Sequence, residues 1–350
     1  MRRVSRIAVA GVATAALAVT VSACGSSSTS SSSSSSSDKN LGLALAYDVG
    51  GKGDQSFNDA ATAGLDKADK EFGYKSTAIE PQDGESDADK VQRLENLAKQ
   101  GYNPVIGVGY AYAPAVKEVS GKYPDTTFGI VDDEQTKADN VADLVFSEEQ
   151  ASYLAGVAAA LSTKSNTVGF IGGVDVPLIH KFEAGFKQGV QDTKKGVTVK
   201  SQYLTETAAE GGFSSPDKGE SAAEGQIDDG ADVVYAAAGL SGQGVIKAAN
   251  ANKIWAIGVD SDQYKQDALK AYKSSILTSA MKNVEGAVYE LAKSVHDGKP
   301  ETGVIRGSLS NGGVSLSNSN PEFADNADIQ AAVKKASEGI IDGTIKVKTS

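Results

Sequence analysis

The sequence is short of two residue types on which disulfide and metal chemistry depend. Among its 350 residues it has one cysteine, Cys24, and two histidines, His180 and His296. A single cysteine cannot form a disulfide within the chain, and the histidines have no partners at the spacing of metal ligands. We therefore expect no cofactor and no metal, and hydrophobic cores must stabilise the fold.

The N-terminus has the pattern of a secretory signal that ends at a lipidated cysteine. Arginines at 2, 3 and 6 precede an apolar run over 7–21, which is too short for a comfortable membrane span. Val21-Ser22-Ala23-Cys24 resembles a bacterial lipobox, in which Cys24 becomes the lipidated first residue. The alternative is an ordinary signal peptide that contains a cysteine.

A serine-rich tract at 26–37 follows this cysteine and has no apolar surface to bury, as is typical of a flexible tether. We therefore predict a signal peptide at 1–23 and a lipid anchor with its tether at 24–39. The protein would then lie on the extracytoplasmic face of a bacterial cell membrane, which it would contact only through the anchor.

Positive charge is scarce. The chain has 34 Lys and Arg residues against 45 Asp and Glu, a net charge of −11. Loss of the signal peptide removes three arginines, which leaves −14, and only Arg93 and Arg306 remain as arginines. Nucleic-acid binding needs basic patches that neutralise phosphates, so no nucleic acid is expected as a partner.

Short β-rich runs alternate with helical patterns from residue 41 onward. We predict strands at 41–47, 75–79, 104–108, 127–131, 167–172, 197–204, 233–236, 254–259 and 275–278. We predict helices at 58–72, 87–100, 148–161, 178–194, 216–227 and 242–252, with another at 329–339 near the C-terminus. Apolar strands separated by helices of this length are typical of parallel sheets buried on both faces.

The βα order repeats, with one series ending near 146 and another beginning near 166. We therefore predict an α/β fold of two doubly wound parallel-sheet lobes around a ligand cleft. Ligands of such sheets bind outside the carboxyl ends of the strands. The loops at those ends should line one cleft.

Acidic and aromatic side chains occupy these predicted loops. Asp132 and Asp260 suit hydrogen bonds from the vicinal hydroxyls of a sugar and would repel a phosphate. Phe57 and Phe182 offer flat apolar faces to a ring.

A structural alternative competes at several of these positions. Asp54 or Ser56 could be a helix N-cap, with or without a ligand contact. Phe57 could be a core residue in the first turn of a helix, and Lys282 a solvated helix residue.

Signatures of enzymes and phosphate sites are incomplete. The 239–243 stretch lacks the final glycine of a nucleophile elbow, and the lysine of 51–53 is not followed by Ser or Thr. A phosphate loop and a serine hydrolase are therefore not supported.

Six segments in order resemble the basic membrane protein (BMP) family, the substrate-binding lipoproteins of ABC transporters, whose PnrA-like members are purine nucleoside receptors. They read DVGGKGDQSFND (48–59), FGIVDD (128–133), GGVDVPLIHKFEAGF (172–186), AAAGLSGQGV (236–245), AIGVDSDQ (256–263) and TSAMKNVEGAVYE (278–290). The resemblance implies a type I periplasmic-binding-protein fold with crossovers near 146, 280 and 309. The implied lobes are 40–146 plus 281–308 and 147–280 plus 309–350.

The resemblance also implies roles for eight ligand-binding residues. Phe57 and Phe182 would sandwich the base, and Asp54 and Asn58 would approach its edge. The residues expected to hold the ribose are Asp132, Gly239, Asp260 and Lys282.

The implied ligand is a purine nucleoside, namely adenosine, guanosine or inosine. The implied partners are the permease and ATPase subunits of an ABC importer, with the receptor itself a monomer and not an enzyme. Three alternatives stay open at this point: the same fold binding a free sugar or another small polar metabolite, a ligand-sensing lipoprotein without a transport role, and a nucleoside hydrolase.

Overall fold

Two sheets form the framework of residues 41–82 and 84–350, which are the part of the chain that the computed structural model describes. These residues belong to one compact unit with its own hydrophobic cores. The predicted signal peptide, anchor and tether, including Cys24, lie outside the described residues.

The first sheet consists of six parallel strands. They are β1 (Ala44–Ala46), β2 (Thr77–Ile79), β3 (Val105–Gly107), β4 (Phe128–Val131), β5 (Val141–Phe146) and β11 (Gly303–Gly307). Their order across the sheet is β11-β5-β4-β3-β1-β2. Strands β1, β3, β4 and β5 are buried along their whole length, as expected for central strands covered on both faces.

The second sheet also has six strands, of which the last in the chain is antiparallel to its neighbour. They are β6 (Thr167–Val174), β7 (Thr198–Thr205), β8 (Val233–Ala237), β9 (Trp255–Asp260), β10 (Ile276–Lys282) and β12 (Val314–Leu316). Their order is β12-β10-β9-β8-β6-β7. All nine predicted strands are present, and the prediction of two doubly wound α/β lobes is confirmed.

Helices pack around each sheet. Those of the first lobe are α1 (Phe57–Phe72), α2 (Asp87–Gln100), α3 (Ala113–Lys122) and α8 (Val284–His296). Those of the second lobe are α4 (Glu148–Ser162), α5 (Pro177–Thr193), α6 (Pro216–Asp228), α7 (Gly242–Ala251), α9 (Pro321–Ala324) and α10 (Ala327–Ile341). Local sequence explains where several begin: Ser86 and Asp89 form a capping box at α2, and the Asn283 side chain caps α8.

The chain passes between the sheets three times. It leaves the first sheet after β5, returns after β10, and leaves again after β11. These passages bring the carboxyl ends of both sheets to face one cleft. Where one lobe ends and the other begins within each passage stays a prediction.

Close packing of α4 against α5 depends on glycines in α5. A Cβ atom on Gly185 would lie 2.2 Å from the carbonyl oxygen of Glu149, and one on Gly189 would lie 2.0 Å from that of Tyr153. Only glycine lets the two backbones approach this closely. The contact fixes α5, which carries Phe182, against the start of α4.

We expect Gly189→Ala to lower the free energy of unfolding by about 2 kcal/mol, because the added methyl group must push α4 and α5 apart. Gly225→Ala in α6 is the matched control, since a Cβ there meets nothing within 4 Å. It should raise the free energy of unfolding by about 0.5–1 kcal/mol through helix propensity. Urea unfolding followed by circular dichroism measures both. Equal stability of the two variants would contradict the close α4–α5 contact.

Candidate functional site

A cavity lies where the strand ends of the two lobes face each other. All eight residues predicted to bind the ligand line it: Asp54, Phe57, Asn58, Asp132, Phe182, Gly239, Asp260 and Lys282. Further lining residues were not predicted, among them Asp48, Tyr110, Leu178, Ile179 and Phe213. That these residues contact a ligand stays a prediction.

Asp54 holds the start of α1 in place. Its two carboxylate oxygens accept hydrogen bonds from the backbone N–H groups of Ser56, Asn58 and Asp59 at 2.8–3.1 Å, and from the Asn58 side chain at 3.1 Å. These bonds satisfy N–H groups at the helix N-terminus. Burial raises the pKa of Asp54 to about 6, and the N–H donors oppose that shift. Both oxygens are engaged within the first lobe, as expected if Asp54 caps the helix, and a ligand contact of Asp54 stays a prediction.

Asn58 connects Asp54 to a carboxylate that was not predicted. Its side-chain oxygen accepts from the backbone N–H of Asp48 at 3.0 Å, and its amide donates to Asp54. Asp48 lies two residues after the end of β1, directly after the predicted strand 41–47, and one of its oxygens accepts from the N–H of Val49 at 2.8 Å. Burial raises the pKa of Asp48 to about 7, with repulsion from Asp132 adding to it. The position of Asp48 directly after a strand was the signal that could have found it.

A buried lysine lies between carboxylates of the two lobes. The Nζ of Lys282, at the end of β10, is 2.7 Å from an oxygen of Asp132 and 3.8 Å from one of Asp260. Burial by itself would lower the pKa of Lys282, but Asp132, Asp260 and the nearby Glu148 carboxylate raise it overall. Lys282 therefore stays charged and holds the two aspartates near each other.

In both aspartates, one carboxylate oxygen lacks a close hydrogen-bond donor from the protein. Asp132 Oδ1 is buried and has no hydrogen-bond partner, while its Oδ2 accepts from Lys282. Asp260 Oδ2 accepts from the Ser56 hydroxyl at 2.6 Å, which leaves Oδ1 with only the distant lysine. Burial raises the pKa of Asp260, and Lys282 and Ser56 oppose the rise. A buried unpaired carboxylate oxygen is costly, and a hydroxyl donor in the cavity would relieve that cost.

Both aspartates have left-handed backbone conformations, with φ of 69° at Asp132 and 60° at Asp260. Such conformations are uncommon outside glycine, although Asp tolerates them better than most residues. They occur where the chain leaves β4 and β9, and they carry local strain that concentrates at functional sites.

Aromatic rings from both lobes surround the lysine. Its Nζ lies 4.6 Å from the ring centre of Phe57 and 5.6 Å from that of Phe182. Phe57 comes from the first lobe and Phe182 from the second, so each lobe supplies one aromatic face to the cavity. Phe57 is only partly buried, whereas a core residue in the first turn of α1 would be buried completely.

Gly239 forms part of the wall through its backbone. Its φ is 53°, and an added Cβ would lie 3.2 Å from the carbonyl oxygen of Phe213. Both the conformation and the space favour glycine here.

Glu148, the first residue of α4, lies buried behind the lysine. One of its carboxylate oxygens has no hydrogen-bond partner and is 3.8 Å from the Nζ of Lys181. Burial raises the pKa of Glu148 to about 8; Lys282 and Lys181 oppose the rise, and Asp132 adds to it. The sequence did not point to Glu148, because this residue begins a helix and does not follow a predicted strand.

The described part of the chain has no cluster of side chains suited to bind a metal ion. Within residues 41–82 and 84–350, no three His, Cys, Asp or Glu side chains are arranged to hold a metal ion. His180, instead, pairs with Asp175 at 2.6 Å in an exposed position.

Solved structures share this architecture. An ABC transporter solute-binding protein from Aeropyrum pernix superposes with a TM-score of 0.78 at 26% identity, covering 89% of this chain and 94% of that one. A solute-binding protein from Conexibacter woesei has a TM-score of 0.69 at 22% identity, covering 88% of this chain and 99% of that one, and shows the fold alone. Together with the cavity, this fold defines the class of type I periplasmic solute-binding proteins.

The family follows from the sequence comparisons. The family model described as ABC transporter substrate-binding protein PnrA-like (Bmp) matches residues 43–350. The chain is 36% identical to the CD4+ T-cell-stimulating antigen of Listeria monocytogenes, over 87% of both chains. It is also 36% identical to the ABC transporter nucleoside-binding protein BmpA of Lactococcus lactis, over 87% of this chain and 88% of that one. The protein belongs to the Bmp family.

Several predictions are thereby confirmed. The protein is an ABC transporter substrate-binding protein with a small-molecule ligand and a permease partner, and it is not an enzyme. A relative in Pyrococcus horikoshii, 33% identical over 77% of this chain and 67% of that one, is named a lipoprotein. The location is accordingly extracytoplasmic and lipid-anchored, while the anchor at Cys24 stays a prediction. In the described residues, every helix is too short or too polar to cross a membrane.

The buried Glu148 carboxyl makes stability depend on pH. Because its pKa is about 8 in the folded protein against 4.5 unfolded, the folded state holds the proton more tightly. The resulting stabilisation is complete below about pH 4.5 and is lost as pH rises through about 8. Between about pH 5 and pH 8, we expect Glu148→Gln to lose less free energy of unfolding than the wild type, by about 3 kcal/mol.

Urea unfolding at the two pH values measures this difference. Glu224→Gln, at an exposed position of α6, is the control and should follow the wild type. If Glu148→Gln lost as much stability as the wild type, the raised pKa would be wrong.

Proposed function

We propose that the protein binds purine nucleosides (adenosine, guanosine or inosine) by closing its two lobes around them, and delivers them to an ABC permease with its ATPase subunits. The observation that carries this proposal is the centre formed by Asp132, Lys282 and Asp260 beside an aromatic face from each lobe. The centre would hold the ribose, and the aromatic faces would hold the base.

The chemistry of the centre suits a sugar with neighbouring hydroxyl groups. Asp132 Oδ1 and Asp260 Oδ1 are acceptors without a close protein donor, and Lys282 is a charged donor between them. Two ribose hydroxyls can donate to the carboxylates and accept from the lysine, and hydrogen bonds to charged groups are the stronger kind. A phosphate would meet several carboxylates at once, which favours an uncharged nucleoside over a nucleotide.

The chemistry around the rings suits a heterocyclic base. Phe57 and Phe182 offer apolar faces, and stacking of a base on an aromatic side chain contributes about 1–3 kcal/mol. At the edge, Asn58 has one amide hydrogen left after its bond to Asp54. Asp48, with a pKa of about 7, can donate a hydrogen bond when protonated and accept one when ionised. Both oxygens of Asp54 already accept hydrogen bonds from the protein. We therefore expect Asp48, beside Asn58, to form the hydrogen bond to the edge of the base.

Closure would couple binding to transport. Phe57 and Asp132 belong to the first lobe, whereas Phe182, Asp260 and Lys282 belong to elements of the second. A ligand held by both sets contacts them together only when the lobes are closed, so it shifts the population toward the closed state.

The comparison with Lactococcus lactis BmpA supports the nucleoside rather than a free sugar, since that relative is named nucleoside-binding and is 36% identical. The sugar-binding neighbours, such as the glucose-galactose binding protein of Geobacillus stearothermophilus at 18% identity, share the fold alone.

We expect Phe57→Ala to weaken inosine binding by about 10–100-fold, because the base loses one stacking face. Asp132→Asn should weaken it at least about tenfold through loss of a charged acceptor. Tyr123→Ala, an aromatic of the first lobe that does not line the cavity, is the control and should bind like the wild type. Isothermal titration calorimetry measures all three.

A panel of adenosine, guanosine, inosine and ribose separates the alternatives in the same assay. If ribose bound without any nucleoside response, and Phe57→Ala were mild while Asp132→Asn was severe, the ligand would be a free sugar and the nucleoside proposal would fail.

A further inference from the structure

The first lobe presents a row of backbone carbonyl groups to side-chain donors of the second lobe. The acceptors lie in the segment 53–56, which precedes α1 and delivers Asp54, Phe57 and Asn58 to the cavity. The bonds run from Gln243 Nε2 to the Gly53 oxygen (3.0 Å), from Gln263 Nε2 to the Gln55 oxygen (3.0 Å) and from Ser261 Oγ to the Ser56 oxygen (2.8 Å). None of the three donor residues lines the cavity.

The acceptor segment is shaped within its own lobe. Asp59 accepts from the N–H groups of Gly53 at 2.7 Å and Gln55 at 3.0 Å, and also from the Gln55 side chain at 3.0 Å. Asp54 accepts from the N–H of Ser56. The N–H groups of Gly53, Gln55 and Ser56 are thus satisfied inside the first lobe. The carbonyl oxygens of Gly53 and Ser56 each accept one bond within that lobe as well, from the Gln55 side chain at 3.2 Å and from the N–H of Ala60 at 3.1 Å, and the bonds from the second lobe are additional. No ligand is needed to form this arrangement.

The central donor is equally fixed within the second lobe. Gln263 is buried, its side-chain oxygen accepts from the N–H of Val259 at 3.1 Å, and its own N–H donates to the Ser279 hydroxyl at 3.2 Å. These bonds orient the amide so that Nε2 points at the first lobe. A donor and an acceptor that are both held in place before they meet lose little entropy on pairing.

We propose that Gln243, Ser261 and Gln263 form an interlobe latch with the carbonyl oxygens of the segment 53–56. The latch supplies part of the free energy of closing without any ligand, and its three donors act as positioning residues that set affinity without touching ligand. The inference rests on the proposed closing of the lobes around a ligand. Since apparent affinity scales with the population of the binding-competent state, weakening the latch weakens binding in the same proportion.

The double variant Gln243→Ala/Ser261→Ala tests the latch. It removes two of the three bonds at positions that are only partly buried, and it leaves Gln263 and the cavity residues intact. Gln202→Ala/Ser221→Ala is the matched control, with the same residue types at exposed positions of the second lobe.

Lobe separation can be measured directly on the compact unit, because the chain from residue 39 onward contains no cysteine. Ala88→Cys in the first lobe and Ala209→Cys in the second place two spin labels at exposed positions after strand ends. Pulsed electron resonance then gives the distance between the labels with and without inosine, and calorimetry gives the affinity for inosine.

We expect the double variant to bind inosine about 10–30-fold more weakly than the wild type, as two net hydrogen bonds predict. Its labels should lie farther apart than those of the wild type without ligand, and saturating inosine should restore the closed distance. The control should match the wild type in both measurements.

An unliganded distance that is the same in the double variant and the wild type would overturn the latch, whatever the affinity. If no variant bound inosine but the unliganded distances still differed, the latch would stand and the nucleoside proposal alone would fail.

Discussion

The ion pair between Asp132 and Lys282 is the constraint on which the rest of the site depends. Its two charges are buried, 2.7 Å apart, and come from different sheets. Charges removed from water are tolerated only when they are paired, and loss of one partner typically costs about 3–5 kcal/mol. The arrangement of the lobes is therefore tied to this pair, and the charges of Asp260 and Glu148 act on the same ammonium group.

Some polar groups around the cavity have all their hydrogen-bond partners within the protein, and others lack one. Asp54 is fully engaged at the start of α1, and the latch donors reach backbone carbonyl groups. Asp132 Oδ1, by contrast, is buried without a partner. A ligand gains most where a polar group is already desolvated and unpaired, because it pays no further desolvation there. Hydrogen bonds within the protein thus position the site, and the carboxylate oxygens without protein partners are free to accept hydrogen bonds from a solute.

Much of the fold could be predicted from the sequence, because apolar strands alternating with helices repeat twice along the chain. Strands β5 and β11 were not predicted, for physical reasons: β5 contains a buried Asp143 that interrupts its apolar run, and β11 is largely exposed. For the site, the position of a carboxylate after a strand correctly brought Asp132 and Asp260 to the cavity. The same pattern at Asp48 was overlooked. Gln263 and Ser261 could not be predicted, since their partners become neighbours only once the two lobes face each other.

Mass spectrometry of the ligand released from protein that was purified without unfolding tests most directly whether the solute is a purine nucleoside. A receptor that closes on its solute through buried charges should retain it through purification. We expect the mass of a purine nucleoside, at close to one per protein molecule. A free pentose or another polar metabolite in its place, with no nucleoside retained, would contradict the nucleoside proposal.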